Sequence, residues 1–414
     1  MAIDARMTDP ESGGVPSIII GLAHGLSGLR DGDEEYLFLV LQGHSDWLTP
    51  FIGGPCRVLE QWVDSTTANR MKERIARVAP VVRTLWQRLP TAVAGLPGIP
   101  RSSGLVEAAH VDVMHFPIQT AFLTRIPSIY HPHDLQHIHL PQYFSSRIRA
   151  RRDRDYRVFS QQATMVAVAS TWTKRDIAAH LNVPETTIAV IPWAPPLAAV
   201  PEPTPEEEAA VSDRLGLPGR FLMYPARTWP HKNHSVLIDA LALLRRRDGH
   251  DVPLVFTGHR TPEARALDKR ARRLGVDDLL TWTGFLDGHD LRATYALANG
   301  VVIPSRFEAA SAPLWEAWMA GSAAACSNVT SLPEQAGDAA LVFDPTSVDD
   351  VADAIAKLWL REDLRIELAR RGRERVSSFT WERTARTFRA HYRRIGGRAL
   401  SDEDENLISA EPGI

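Results

Sequence analysis

Two basic residues follow the first hydrophobic strand predicted in the second half of the chain. Arg227 comes just after the strand pattern that ends at Pro225, and Lys232 lies five residues further on, next to a predicted helix start. Fixed cations beside the positive end of a helix dipole suit a diphosphate group. Most lysine and arginine side chains are ordinary solvated cations, so the spacing alone leaves both interpretations open.

Two carboxylates follow a later buried strand. Glu308 lies in the loop after the run Val301–Ser305, and Glu316 falls in the opening turns of a helix whose first position suits Pro313. Carboxylate oxygens accept hydrogen bonds from hydroxyl groups, so a sugar and a ribose are natural ligands. For Glu316, compensation of the helix dipole is an alternative of equal weight.

Both pairs are positioned by one alternating pattern of short hydrophobic runs and amphipathic helices. The alternation predicts an α/β fold with parallel, doubly wound sheets buried on both faces. Ligands of such sheets bind at the carboxyl ends of the strands. The predicted strands are Ala2–Arg6, Tyr36–Gln42, Val111–His115, Ser128–His131, Met165–Ser170, Ile188–Pro192, Phe221–Pro225, Leu254–Thr257, Leu280–Thr283, Gly300–Pro304, Ala323–Ser327 and Ala340–Phe343. The predicted helices are Val15–Leu29, Arg70–Leu89, Ser146–Gln161, Ser235–Arg247, Pro262–Leu274, Asp290–Leu297, Pro313–Ala320, Val348–Leu358 and Thr380–Ile395.

The chain has 414 residues, which is longer than a single hydrophobic core usually serves, so two domains are expected. The boundaries predicted are 1–195 for the first domain and 219–379 for the second, with a linker rich in proline and glutamate at 196–218. A terminal helix is predicted at 380–396. The acidic segment 397–414 is expected to be disordered.

Composition and charge limit the partners. A net charge of −3 provides no general basic field, so nucleic acid is not an expected partner. Cys56 and Cys326 are too few for a disulfide framework, which fits a reducing compartment. No apolar run reaches the roughly 18–20 residues of a membrane-spanning helix, and the N-terminal residues lack the features of a signal peptide. A cytoplasmic protein is therefore expected.

Two local clusters allow a second interpretation. The basic helix Arg147–Arg157 fits a solvated face with i,i+4 ion pairs, and its alternative is peripheral contact with anionic lipid at the inner face of the membrane. The segment His131–His139 carries four histidines and one aspartate, which are metal-ligand types. It lacks the cysteine or HExxH spacing of common zinc sites, so no metal is expected.

The ordered motifs resemble the family 4 retaining glycosyltransferases, a group 1 family with the GT-B architecture. The matching residues of the second half are Arg227 and Lys232, Phe256-Thr257-Gly258, Thr283-Gly284-Phe285, Pro304-Ser305, the pair Glu308 and Glu316 with Pro313 between them, and the run Thr330–Ala340. Those of the first half are Ile3–Arg6, Gly13-Gly14, His115-Phe116-Pro117 and His133–His137. The resemblance covers nearly the whole chain and is faintest in residues 40–105.

This resemblance implies two Rossmann-like domains that face each other across a cleft, with the terminal helix returning to the first domain. It implies that Arg227 and Lys232 hold the donor diphosphate and stabilise the charge that develops on it. Glu316 would accept hydrogen bonds from the ribose, and Glu308 would contact hydroxyls of the transferred sugar. The leaving phosphate itself would take the acceptor proton, so no side-chain nucleophile is assigned.

Further residues receive donor-side or catalytic roles by the same resemblance. Ser311 and Ser331 would contact the donor, His133 would act near the transferred sugar, and Gly13 and Gly14 would let the backbone approach the phosphate. The family's usual Gly-Phe-Gly-Leu after the first glutamate is here Ala-Ala-Ser-Ala, which leaves the choice of donor open.

The function predicted is retaining transfer of a sugar from a nucleotide-diphosphate donor to a hydroxyl of a sugar or lipid-linked acceptor, in glycan or polysaccharide assembly. No cofactor is required beyond the donor as co-substrate. A sugar-nucleotide epimerase of the same architecture and a non-catalytic nucleotide-sugar-binding subunit remain as alternatives.

Overall fold

The computed structural model describes residues 1–7, 15–61 and 98–411. The chain forms two compact units. The first takes Met1–Ala169, Thr173–Pro192 and the described residues that follow Thr380, and the second takes Ser170–Trp172 and Trp193–Thr380. The predicted helix Arg70–Leu89 and the pair Gly13-Gly14 lie outside the described residues.

The first unit is built on a seven-stranded parallel sheet in the order β3-β2-β1-β4-β5-β6-β7. Its central strands are buried on both faces, as the β-branched and aromatic runs predict. The strands are β1 Ala2–Asp4, β2 Tyr36–Leu41, β3 Cys56–Gln61, β4 Met114–Phe116, β5 Ser128–Tyr130, β6 Met165–Val168 and β7 Ile188–Val190.

The helices up to residue 181 flank this sheet or cap its loops. They are α1 Val15–Ser27, α2 Leu105–Ala108, α3 Gln136–His139, α4 Ser146–Gln162 and α5 Thr171–Leu181. Short 3-10 turns occupy Thr49–Phe51, Pro141–Tyr143 and Glu185–Thr187.

The second unit repeats the design with a six-stranded parallel sheet in the order β10-β9-β8-β11-β12-β13. Its strands are β8 Leu222–Pro225, β9 Leu254–Thr257, β10 Leu280–Gly284, β11 Val301–Ile303, β12 Ala324–Ser327 and β13 Ala340–Phe343. The predicted pair of doubly wound parallel sheets is confirmed. The strand order reverses between β8 and β11, which pair through Met223 and Val301.

The helices of the second unit cover both faces of its sheet. They are α6 Pro205–Leu215, α7 His234–Asp248, α8 Ala264–Leu274, α9 Gly288–Leu297, α10 Ala312–Met319, α11 Leu332–Ala336, α12 Val348–Leu360 and α13 Glu362–Val376. Additional 3-10 turns lie at Pro196–Ala199, Pro230–Lys232 and Asp277–Leu279. The segment predicted as a linker, 196–218, thus contains a helix with a capping box at Thr204 and Glu207 and belongs to the second unit.

The last two helices, α14 Trp381–Ile395 and α15 Asp402–Ser409, belong to the first unit. Helix α14 lies so close to α1 that a Cβ added at Gly21 would fall 2.0 Å from the Trp381 ring. Only glycine permits this approach, because any larger side chain would collide with the indole.

The tail expected to be disordered is instead helical at its centre. Ser401 caps α15 by accepting a hydrogen bond from the Asp404 backbone N–H, and the buried Asp404 carboxylate accepts one from Arg393 on α14 at 2.9 Å. A capping box and an ion pair to a packed helix outweigh the low hydrophobicity that suggested disorder. Within the described ranges, no helix has both the length and the apolarity needed to cross a bilayer.

Candidate functional site

Three of the polar residues singled out in the second half, Arg227, Lys232 and Glu308, follow the carboxyl ends of β8 and β11. These strands flank the point where the strand order reverses, and open α/β sheets bind ligands in the crevice at such a point. Arg227 follows β8, Lys232 ends the 3-10 turn before α7, and Glu308 lies in the loop after β11. Because parallel strands end at the same edge of a sheet, these three residues lie at one end of it.

An ion pair joins the two loops. Lys232 Nζ lies 2.6 Å from Glu308 Oε1, and the two side chains are only 17% and 10% exposed. A charge-assisted hydrogen bond at this depth is screened less than a surface pair and fixes both side chains. The Tyr224 hydroxyl donates to the Lys232 carbonyl oxygen at 2.9 Å, which anchors the backbone that carries the ammonium group.

Asn233 holds the start of α7 against two other loops. Its backbone has a left-handed φ of 59°, and its buried side-chain amide donates to the carbonyl oxygens of Pro304 at 3.1 Å and Pro345 at 3.0 Å. Asparagine tolerates this backbone conformation better than most residues. These two hydrogen bonds fix the position of Lys232, the preceding residue, relative to the strand ends.

We predict that Asn233→Ala lowers the free energy of unfolding by about 3 kcal/mol, because it leaves two carbonyl oxygens without this donor and places alanine at a positive φ. Chemical denaturation measures the change. Asn182→Ala is the matched control, since Asn182 is exposed and has a φ of 57°. The two variants losing the same stability would contradict the role given to the amide.

Arg227 is half-buried, and its guanidinium carbon lies 5.5 Å from the centre of the Trp229 ring. That distance allows a cation–π contact, which orients the planar group. The chain beside it is tightly packed: a Cβ at Gly258, whose φ is 97°, would lie 3.1 Å from the Arg227 backbone nitrogen. Glycine at the end of β9 therefore lets this loop approach the one that carries Arg227.

The Glu308 backbone is fixed by hydroxyl groups from the turn after β12. Glu308 N–H donates to Thr330 Oγ1 at 3.0 Å, and the same hydroxyl donates back to the Glu308 carbonyl oxygen at 2.6 Å. Ser331 Oγ donates to that carbonyl oxygen at 2.9 Å. Ser331 is 0% exposed in this contact, and the donor contact predicted for it stays a prediction.

The Ser311 backbone is also fixed by hydrogen bonds within the second unit. It is 0% exposed, its N–H donates to Gln335 Oε1 at 2.8 Å, and its carbonyl oxygen accepts from Gln335 Nε2 at 2.7 Å. Both bonds involve the Ser311 backbone, so the glutamine amide fixes the loop just before α10. Ser311 therefore helps to shape the turn that carries Glu308, while its own buried hydroxyl has no hydrogen-bond partner among the described residues.

Glu316 is the deeper of the two predicted carboxylates. It lies on α10, is 6% exposed, and its Oε2 accepts a hydrogen bond from the Tyr295 hydroxyl at 2.8 Å. Burial raises the pKa of Glu316 to about 7, against the opposing effect of hydrogen bonds from Tyr295 and from the Leu197 backbone. The group thus titrates near neutral pH.

We predict that Glu316→Gln becomes more stable relative to the wild type as the pH rises. A carboxyl with a raised native pKa stays protonated while its unfolded counterpart ionises, so the wild type loses stability between the unfolded and folded pKa values. From pH 5.5 to 8 the difference in unfolding free energy should shift by about 2 kcal/mol in favour of the variant. Urea denaturation at several pH values measures this shift, and a constant difference would contradict it.

His133 lies in the first unit, just after β5. Its φ is 62°, and its Nε2 lies 2.9 Å from the Pro117 carbonyl oxygen, so this nitrogen carries the proton and donates. Burial lowers the pKa of His133. The ring is therefore neutral at pH 7, which leaves its other nitrogen as the basic one. The position of Gly13 and Gly14, the other predicted residues of this unit, is outside the described ranges.

A buried polar chain, which the sequence analysis did not identify, lies beside His133. The Tyr392 hydroxyl of α14 lies 2.6 Å from His115 Nδ1, and His115 Nε2 lies 2.8 Å from His131 Nε2. Burial lowers the pKa of His115 to about 3, and that of His131 as well. The chain is therefore held as neutral imidazoles, and it links the terminal helix to the strand end that carries His133.

The basic helix α4 makes several local ion pairs. Arg154 pairs with Asp155 at 2.6 Å, and Arg157 pairs with Asp153 at 3.2 Å in the i,i+4 relation. These pairs favour a solvated face over the lipid-binding alternative, since they neutralise part of the positive charge.

Two protein families match the chain. Residues 53–194 match the family described as Glycosyltransferase Family 4, and residues 207–375 match the family described as Glycosyl transferases group 1. Together the two matches cover about three-quarters of the chain. The match over residues 207–375 includes Arg227, Lys232, Glu308 and Glu316.

Curated relatives are glycosyltransferases. The chain is 29% identical over 262 residues to O-antigen chain mannosyltransferase B of Escherichia coli, covering 63% of this chain and 68% of the relative. It is 33% identical over 196 residues to the GDP-mannose-dependent alpha-(1-6)-phosphatidylinositol monomannoside mannosyltransferase of Mycobacterium tuberculosis, covering 45% of this chain and 50% of the relative. The chain thus spans about a quarter to two thirds of the length of the curated relatives it matches.

The fold also matches solved structures across nearly the whole chain. Anabaena HepE, crystallised in complex with UDP and glucose, superposes with a TM-score of 0.67 at 18% identity, covering 94% of this chain and 98% of the other. At this identity the likeness establishes the fold. The two family matches show that the chain belongs to the family 4 glycosyltransferases, and the paired doubly wound sheets and this likeness show the GT-B fold.

Proposed function

We propose that the protein transfers a mannosyl residue from GDP-mannose to a hydroxyl of a glycan or lipid-linked glycan acceptor, with retention of configuration. The observation that carries this proposal is the Lys232–Glu308 ion pair at the strand-order reversal of the second unit. The sugar and the base are proposed from the curated relatives, whose names include a mannosyltransferase and a GDP-mannose-dependent enzyme.

Lys232 and Arg227 would stabilise the leaving group. Glycosyl transfer builds negative charge on the departing diphosphate while an oxocarbenium-like centre develops on the sugar. Lys232 supplies a fixed point charge, and Arg227 supplies a planar donor that suits two phosphate oxygens. Because both side chains are placed before the donor binds, little reorganisation is needed when charge develops.

Glu308 would contact both Lys232 and the transferred sugar. One carboxylate oxygen, Oε1, neutralises Lys232, and a carboxylate offers about four lone-pair sites in all. The remaining capacity would accept hydrogen bonds from hydroxyls of the transferred sugar and so orient it over the diphosphate. Ser331 and Ser311 act indirectly, by holding the loops on either side of Glu308.

Glu316 would accept hydrogen bonds from the donor ribose. Its carboxyl is protonated in part near pH 7, since its pKa is raised to about 7, and binding hydroxyl donors would favour the ionised form. Donor binding should therefore release a fraction of a proton at neutral pH.

Three further residues have roles proposed by the resemblance alone. We propose that His133 acts near the transferred sugar and that Gly13 and Gly14 let the backbone approach the donor phosphate. The leaving phosphate takes the acceptor proton in a front-face displacement, so no enzyme nucleophile is needed. We propose that Arg227 and Lys232 supply the positive charge that a metal ion would otherwise place on the diphosphate.

A donor panel tests this function. Thermal shift is measured with GDP-mannose, UDP-glucose, ADP-glucose and TDP-glucose, because a ligand that binds only the native state raises the melting temperature by mass action. GDP-mannose should give the largest rise, and incubation with a mannan or lipid-linked acceptor should yield α-linked product. An epimerised donor without acceptor, or no rise with any nucleotide sugar, would overturn the proposal.

A further inference from the structure

Two histidines and one aspartate meet in the first unit, at the end of the segment His131–His139, in which the sequence alone indicated no metal site. His139 closes α3, and Asp176 and His180 lie one turn apart on α5. His139 Nε2 lies 2.7 Å and His180 Nδ1 lies 3.1 Å from Asp176 Oδ1. The three ligand atoms all lie within 4.8 Å of one another.

We propose that His139, Asp176 and His180 form a binding site for a divalent transition-metal ion, with zinc as the ion that fits best. Two imidazoles and one carboxylate favour zinc, cobalt or nickel over magnesium or calcium, which prefer all-oxygen ligands. Tetrahedral zinc with nitrogen and oxygen ligands near 2.0–2.1 Å separates adjacent ligand atoms by about 3.3 Å. The two separations from Asp176 Oδ1, 2.7 Å to His139 and 3.1 Å to His180, lie within about an ångström of this value.

The aspartate gives an independent indication of a ligand. Its side chain is 4% exposed, and Oδ2 is buried with no hydrogen-bond partner among the described residues. A buried carboxylate oxygen without a partner is costly, because it has lost its water without replacement. A cation bound by both oxygens of Asp176 would remove that cost.

The site is accessible and has a defined framework. The His139 and His180 side chains are about one third exposed, so an ion can enter from solvent, whereas the buried Asp176 fixes its inner side. His180 Nδ1 also lies 2.8 Å from the Asp176 carbonyl oxygen. A metal bound to Nδ1 would replace this hydrogen bond, and the ring proton would then be on Nε2. The ion would join α3, which follows the His133 loop, to α5.

This is a structural site, distinct from the transfer reaction. None of the three ligands has a role in donor binding, so the metal site does not depend on the proposed function. Its ligands come from two separate helices, so the ion would stabilise their contact as a structural metal does.

Calorimetric titration of zinc chloride into the full chain, freed of any histidine tag and stripped with a chelator, tests the site. We expect one zinc per chain with a dissociation constant in the micromolar range or tighter, and no heat from magnesium chloride. Asp176→Asn and His139→Gln should each weaken binding at least tenfold. His44→Gln, at an exposed histidine elsewhere in the same unit, should bind zinc as the wild type does.

Circular dichroism of the metal-free proteins checks that the variants fold as the wild type does. Because His139 is exposed, His139→Gln should fold normally. Zinc should also raise the melting temperature of the wild type but not of His139→Gln. Stoichiometric magnesium binding, no zinc binding tighter than about 100 μM, or wild-type affinity in both ligand variants would each overturn the proposal.

Discussion

Glu308→Gln is expected to lower kcat/KM for sugar transfer by about 10²–10³-fold, because the amide cannot neutralise Lys232 and loses the charged acceptor proposed for the sugar hydroxyls. Most of the loss should appear in kcat, since the missing interactions orient the reacting sugar in the transition state. Steady-state kinetics with a fixed acceptor and varied donor measure both constants.

A second effect of this variant must be separated from the first. Glu308 is only 10% exposed, so its loss leaves the Lys232 ammonium partly buried without a counter-charge and should cost about 1–3 kcal/mol of stability. Assays well below the melting temperature exclude unfolding as the cause. Glu374→Gln is the matched control, because Glu374 forms an exposed ion pair with Arg370 and should leave the kinetics unchanged. Wild-type turnover in Glu308→Gln would reject the assignment.

Lys232→Met is expected to weaken nucleoside-diphosphate binding by about 10–100-fold. This range follows from losing one charge-assisted hydrogen bond to a diphosphate, worth about 1.5–3 kcal/mol. Methionine retains most of the aliphatic stem, so packing around the side chain changes little. Calorimetric titration with GDP measures the affinity.

The matched control is Lys357→Met, at an exposed position on α12 of the same unit. It removes the same charge and leaves the site intact, so a loss caused by net charge alone would appear in both variants. The double variant Lys232→Met/Glu308→Gln completes a double-mutant cycle, which measures the coupling between the two side chains. Unchanged GDP affinity in Lys232→Met would contradict the phosphate role.

The strands of the second unit could be predicted closely from the sequence. β9 and β13 match their predicted bounds, β8 differs by one residue at its start, and β11 is shorter than predicted by one residue at each end. Buried parallel strands form short continuous apolar runs, which are distinctive when helices separate them. The edge strand β3 was missed because Arg57 and Glu60 interrupt its apolar pattern, and α13 was missed because charged residues dominate it.

The positions of Arg227, Lys232 and Glu308 could be predicted from the sequence, but their contacts could not. Strand-end position places Arg227, Lys232 and Glu308 together in any doubly wound sheet, so their convergence needs only the strand order. The ion pair between Lys232 and Glu308 depends on loop paths that no local pattern specifies. The burial of Glu316 depends on Tyr295, which comes from a different helix and carries no motif.

The two serines show the limit of a motif. Ser311 and Ser331 stand where the resemblance places donor contacts, but side chains and carbonyl groups distant in sequence determine which way each residue faces. Gln335 lies 24 residues after Ser311, within a motif that the sequence analysis quoted, yet its amide bonds could not be assigned without coordinates.

The most direct test of the central claim is a crystal structure of the protein with bound GDP. The account predicts that the diphosphate lies at the carboxyl ends of β8 and β11, with oxygens about 3 Å from Lys232 Nζ and from the Arg227 guanidinium. The ribose should then lie beside Glu316. A diphosphate bound with neither cation within about 4 Å of it would contradict the account.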